Sequence, residues 1–343
     1  MIIQRIVRTY GDPLGTVRSF LRAVWEQGRL EGILVAAGSD QTTPGKARLI
    51  EQAGLIDQVD PFSLIMTENL ARDVPRVISE RPGKRLSVLL RPCELRALVE
   101  VAKRAPVDLT NMLTICVDCL GTFPEEDYRW RAAKLDTPEA LTDEALQFAR
   151  QGGILDYRHR LACQMCAAQG AQLADLEINL LGLPVRQNIL VQARDASLFE
   201  RLQLDRITDG EASSKVVRQH EHAVAQLAEC RRQTLERAVK NLAEQQPHNL
   251  ETLIEQLEHC GECQDCMTAC PICTAEFPER GADGHFTRKG MVRWLVSCAG
   301  CGMCEQVCSS QLPLVTIFGL IREQLDEELH YSPGTDWDTP LPA

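Results

Sequence analysis

The chain has 343 residues, enough for two domains with a sizeable core. Its 44% hydrophobic and 25% charged content excludes a disordered chain, and its net charge of -11 argues against a nucleic-acid partner, whose phosphates call for a basic surface. No apolar run approaches a membrane span, and M-I-I-Q-R-I-V-R at the start lacks the apolar stretch and cleavage site of a signal peptide, so a cytoplasmic protein with no direct membrane span is expected.

In chain order, Val17 to Glu26 reads as a helix with Val17, Phe20, Leu21 and Val24 on one face. G-I-L-V-A-A-G, from Gly32 to Gly38, reads as a short buried strand, Lys46 to Ala53 as a helix, and Thr67 to Ser79 as a helix that Pro75 kinks or stops. Arg81 to Lys84 is a turn. A clearer pattern follows, with a strand at Arg85 to Leu90, a break at R-P-C-E, a helix at Leu95 to Arg104, and a second strand at Leu113 to Asp118. That β–α–β order implies parallel strands joined by a right-handed crossover. Cys93 and Cys119 then lie just past the C-terminal ends of neighbouring strands, the edge where open α/β sheets hold their ligands.

The isolated C-x2-C of Cys163 and Cys166 can supply the other half of a metal site. The expectation is one 4Fe-4S cluster on Cys93, Cys119, Cys163 and Cys166. Cys116 competes for the second position, and Cys119 is preferred because it stands in the exiting turn with Gly121 next to it. Further strands are expected at Ala174 to Ile178 and Asn188 to Ala193, and a long charged linker helix, or a helical hairpin arm, at Ser214 to Glu244. His220, His222 and Cys230 on that helix read as surface or packing residues.

The C-terminal third carries two cysteine runs with identical spacing: Cys260, Cys263, Cys266, Cys270, and Cys298, Cys301, Cys304, Cys308. C-x2-C-x2-C-x3-C is the run that holds 4Fe-4S clusters in two-cluster ferredoxins, where the fourth cysteine serves the other cube. The expected sets are Cys260, Cys263, Cys266 with Cys308, and Cys298, Cys301, Cys304 with Cys270. Cys273 is the competing candidate for the place of Cys270, and the spacing gives it a packing role instead. Zinc is the alternative metal, but its sites use four ligands, usually two C-x2-C knuckles per ion, and two matched four-cysteine runs fit cubes better. With 15 cysteines and no secretory signal, metal is expected rather than disulfides. Helices are expected at Thr287 to Val296 and Leu314 to Leu325, which points to a helical ferredoxin domain, and Tyr331 to Ala343 reads as an extended acidic tail.

The organisation expected is therefore an α/β domain with a partly parallel sheet over residues 1–205, a helical linker over 206–245, an α-helical two-cluster ferredoxin domain over 246–330 and a tail over 331–343.

R-P-C-E-L-R-A-L, V-D-C-L-G-T and R-L-A-C-Q-M-C-A-A-Q-G-A-Q-L-A-D-L resemble the beta-subunit family of deazaflavin-coenzyme hydrogenases and dehydrogenases, which includes the formate dehydrogenase beta subunit. The matching positions are Pro92 and Cys93, Cys119, Cys163 with Cys166, and Ala174 with Asp175; Ala167 stands where the family usually has aspartate after the C-x2-C. The C-terminal half resembles ferredoxin domains of the heterodisulfide-reductase type. The resemblance implies an electron-transfer subunit with a catalytic or flavin subunit as partner. Family relatives hold FAD, but no G-x-G-x-x-G phosphate loop is present here, so FAD rests on the resemblance alone. Two readings follow: a three-cluster electron relay, or a FAD-containing subunit that itself oxidises or reduces a deazaflavin or nicotinamide. A third treats the N-terminal cluster as structural and the whole as a docking scaffold. No catalytic side-chain constellation stands out.

Overall fold

The computed structural model describes residues 2–36, 44–105, 107–135, 137, 139–151, 158–167, 173–260 and 263–342. Its centre is a seven-stranded sheet in the order β1-β7-β6-β5-β4-β2-β3. The strands are β1 (Ile3–Arg8), β2 (Gly32–Ala36), β3 (Ala47–Ile50), β4 (Leu86–Leu90), β5 (Met112–Val117), β6 (Leu176–Asn179) and β7 (Asn188–Ala193). Strands β2, β4, β5 and β6 run parallel, while β3, β7 and β1 add antiparallel edges. The central strands L-S-V-L-L and M-L-T-I-C-V are buried at every position, as parallel strands covered on both faces require. An α/β class with a partly parallel sheet is thus what the chain adopts.

The helices are α1 (Pro13–Gly28), α2 (Val74–Glu80), α3 (Pro92–Arg104), α4 (Glu125–Ala132), α5 (Glu139–Gln147), α6 (Leu161–Gln164) and α7 (Ala196–Arg201). They continue with α8 (Ser214–Lys240), α9 (Leu250–His259), α10 (Asp265–Thr268), α11 (Arg288–Leu295), α12 (Met303–Gln306) and α13 (Leu314–Leu329).

Three expectations are corrected. Lys46 to Ala53 is not a helix: Ala47–Ile50 pairs antiparallel with β2, from Ile33 against Ile50 to Ala36 against Ala47, and cross-strand pairing overrides local propensity. Pro75 does not end a helix but sits in the first turn of α2, where its missing N–H costs nothing and its fixed φ suits the turn. For the same reason α3 starts at Pro92 rather than Leu95, with Glu94 reaching back to the Arg91 backbone N–H at 2.9 Å. The strand at the N-terminus, β1, was not foreseen. The end of the strand expected through Ala37 and Gly38 lies outside the described residues, as do Gly261 and Glu262 of the first cysteine run, residues 168–172 and Ala343.

The C-terminal third packs α9, α11 and α13 into its own apolar core, in which Leu253, Met291, Trp294, Leu295, Ile317 and Ile321 are buried against the cysteine runs. Val101 of α3 belongs to that core as well. One step earlier on α3, the fully buried Glu100 accepts from Ser297 Oγ at 2.5 Å, from Tyr331 OH at 2.8 Å and from the Gly334 N–H at 2.8 Å. Lys103 and Arg104 neutralise it at 3.3 and 3.6 Å. The acidic tail is therefore docked: Tyr331 is buried and Trp337 donates its ring N–H to the Leu173 carbonyl at 3.1 Å. Among the described residues no helix is long and apolar enough to cross a membrane.

Candidate metal centre

The parallel register brings the C-terminal ends of β4 and β5 side by side, Leu90 opposite Cys116. Cys93 follows in the first turn of α3, where the helix N-terminus favours negative charge. Cys119 stands two residues past β5, and Gly121 behind it adopts a left-handed φ of 87° while a Cβ there would lie 2.5 Å from the His159 ring. Only glycine fits that approach. Cys163 and Cys166 lie on α6 and just after it, in the connection from β5 to β6.

These four cysteines line one cavity, together with Arg160, Arg231 and Cys301. Among the described residues no three His, Cys, Asp or Glu side chains converge as they would around a single metal ion. The four thiols line one common space, in which a metal group could be held by all of them. Cys116 is 4% exposed, stands in register with Glu177 on β6, packs in an apolar cluster with Leu90 and Leu95, and is not part of the cavity wall.

The walls are electropositive. Arg91, Arg96, Arg160 and Arg231 are all buried around these thiols. The Arg91 guanidinium donates to the carbonyls of Ser63 and Ile65 and pairs with Glu94 at 3.3 Å. Arg96 donates to Cys166 Sγ at 3.7 Å and Arg160 to Cys163 Sγ at 3.9 Å. The Thr122 hydroxyl lies 3.2 Å from Cys163 Sγ, and the Gly121 N–H donates to Cys119 Sγ at 3.4 Å. Burial pushes the Cys93 thiol well up and Cys119 to about 11, whereas Arg160 and Thr122 outweigh burial at Cys163 and bring it down. A shell of buried cations and N–H donors suits a group that carries net negative charge. None of the four arginines stood out in the sequence, because arginine is ordinarily a surface residue and only packing reveals its burial.

In the C-terminal third each run's last cysteine sits beside the other run. Burial first, then Cys308, raises Cys260; burial, with Cys308, Cys260 and Cys263 as further neighbours, pushes Cys266 to about 12. Burial, then Cys270, likewise pushes Cys301 to about 12, and Cys270 is also a neighbour of Cys298 and Cys304. The Cys273 thiol hydrogen-bonds Cys270 and holds it down at about 6, aided by the Trp294 ring N–H at 3.4 Å. Cys273 itself is buried in the apolar core. The Leu312 N–H donates to Cys308 Sγ at 3.4 Å. On α8, His220 is buried, with its Nδ1 3.0 Å from the Leu181 carbonyl oxygen and 3.6 Å from Asp118, while Cys230 is exposed.

The second run also touches the N-terminal half directly. Cys301 lines the N-terminal cavity, Cys93 and Cys301 pack on the same small cluster of Met66, Ala269 and Met303, and a Cβ on Gly302 would fall 2.3 Å from that of Ala162. A second cavity of about 150 Å³ runs from Arg96 and Cys166 to Cys298, Cys304 and Arg322.

No family model matches the chain. It is 26% identical to the "F420-dependent formate dehydrogenase 1 subunit beta" of Methanococcus maripaludis, covering 75% of this chain and 74% of that one. Against the corresponding subunit of Methanocaldococcus jannaschii it is 20% identical over 95% and 93% of the two chains. Its fold matches a chain of the F420-reducing nickel–iron hydrogenase complex of Methanosarcina barkeri, with a TM-score of 0.50, 13% identity and coverage of 70% and 91%. The resemblance to the deazaflavin-coenzyme beta-subunit family, read from the P-C, C-L-G and C-x2-C motifs, is borne out by these relatives.

Proposed function

We propose that this relative of formate dehydrogenase and hydrogenase beta subunits is the iron–sulfur electron-transfer subunit of a multi-subunit oxidoreductase. Three 4Fe-4S clusters are its cofactors, on Cys93, Cys119, Cys163 and Cys166; on Cys298, Cys301, Cys304 and Cys270; and on Cys260, Cys263, Cys266 and Cys308. Such clusters exchange single electrons at potentials set by charge, burial and hydrogen bonds to sulfur. Its partner is a catalytic or flavin subunit that handles the two-electron chemistry.

The observation that carries this reading is the single cavity walled by Cys93, Cys119, Cys163 and Cys166 with Cys301 of the second run on its rim. A metal site isolated for structural reasons has no need of a neighbouring ligand set at its wall; a relay does. The chain's own residues prepare each site. Buried thiols, most of them held protonated, give up protons as metal enters, so loading is favoured by rising pH. Backbone and indole N–H groups and guanidiniums aimed at sulfur then stabilise the added negative charge.

Cysteine variants purified without air test the assignment. Cys93→Ser is expected to lose about four of about twelve irons and keep the C-terminal pair, while Cys116→Ser keeps them all. Full iron in Cys93→Ser with loss in Cys116→Ser would reverse the ligand assignment.

A further inference from the structure

Two buried arginines reach from the N-terminal cysteine set into the second cysteine run. The Arg96 Nη2 that donates to Cys166 Sγ at 3.7 Å also donates to the Ala299 carbonyl at 2.8 Å, between Cys298 and Cys301. Arg160 donates to Cys163 Sγ at 3.9 Å through one terminal nitrogen and through the other to Gln306 Oε1 at 2.9 Å and Met303 Sδ at 3.7 Å. Its Nε is fixed by Thr122 Oγ1 at 2.8 Å. Arg96 is 9% and Arg160 8% exposed, so solvent screens neither charge well. Each lines a cavity whose wall includes cysteines of both sets, and no cysteine of the outer set, Cys260, Cys263, Cys266 or Cys308, lines either.

We propose that Arg96 and Arg160 form an electrostatic bridge between the N-terminal site and the second-run site, positioning residues that raise the reduction potential of both. The inference rests on the cluster reading above. Reduction adds one negative charge to a group that is already anionic, and two such groups side by side repel that charge twice. A guanidinium held between them lowers the cost at both, and its N–H bonds to sulfur act in the same direction. The bridge also makes the second-run site the middle of the relay and the first-run set, with its exposed Cys263, the outer end.

The test is a redox titration followed by electron paramagnetic resonance on the full chain, purified without air, with the N-terminal signal identified as the one missing from Cys93→Ser. Arg96→Gln and Arg160→Gln are expected to keep full iron and to move the N-terminal and middle potentials down, leaving the outer one in place. Arg96→Lys and Arg160→Lys, which keep the charge, are expected to restore most of the shift. Full iron with unmoved potentials overturns the bridge, as does an equal shift of all three. Where one Gln variant loses iron, the other carries the test alone, because each guanidinium faces both sites and should move both potentials by itself. Wild-type protein short of about twelve irons defeats the cluster reading itself; about twelve irons with unmoved potentials defeats only the bridge.

Discussion

Glu177 stands on β6 opposite Cys116, with the Asp118 carboxylate close by. Burial, and then Asp118, push its carboxyl up from 4.5 to about 8. The folded chain therefore holds a proton there that the unfolded chain releases from about pH 4.5 upward, so stability falls as pH rises between those two values. The penalty is on the order of 5 kcal/mol once pH passes 8, at about 1.4 kcal/mol per unit. Glu177→Gln removes it. Anaerobic thermal melts from pH 5 to 8.5 should show the variant gaining on the parent steadily as pH rises; parallel curves would mean that Glu177 is ionised throughout. At this scale the cysteines were legible, because a run of thiols at fixed spacing has few other uses. The guanidiniums around them, the buried carboxyl and the Glu100 hub were not, since nothing local marks a charged residue that distant packing will bury.

At the level of elements, the contact between the second cysteine run and α6 has a sharp test in Gly302. Its φ of 71° disfavours any side chain, and an added Cβ would meet Ala162 at 2.3 Å. Gly302→Ala should cost about 2–5 kcal/mol, the sum of strain and overpacking. Gly11 is the control: its φ is 94° with nothing within 4 Å of an added Cβ, so Gly11→Ala should cost only the strain, about 1–2 kcal/mol. Equal melting temperatures for the two variants would deny the contact. Most elements could be read from period and punctuation: the central strands from their unbroken apolar runs, α8 and α13 from helical spacing. The failures were short segments. K-A-R-L-I-E-Q-A carries no decisive period, and the partner that makes it a strand, β2, can be known only in three dimensions. Pro75 and Pro92 show that a proline marks a helix start as readily as its end, so a boundary needs the cap as well as the breaker.

Taken whole, the molecule joins a sheet edge to a helical cysteine-rich unit through several buried contacts. Arg96 and Arg160 cross the junction beside the thiols, Glu100 ties it through Ser297, and the C-terminal tail closes over α3, where Gly334 packs on Arg96. Rigid placement of neighbouring sites is what a relay needs, because it keeps the spacing between them constant as electrons come and go. The contiguity of the Cys93, Cys119, Cys163, Cys166 set with Cys301 was not legible in the sequence, where some two hundred positions separate Cys93 from Cys301. The most direct measurement is iron and acid-labile sulfide per chain in wild-type protein purified without air. Three cubes predict about twelve of each. About eight of each would remove the N-terminal cluster, and zinc in place of iron would contradict the account as a whole.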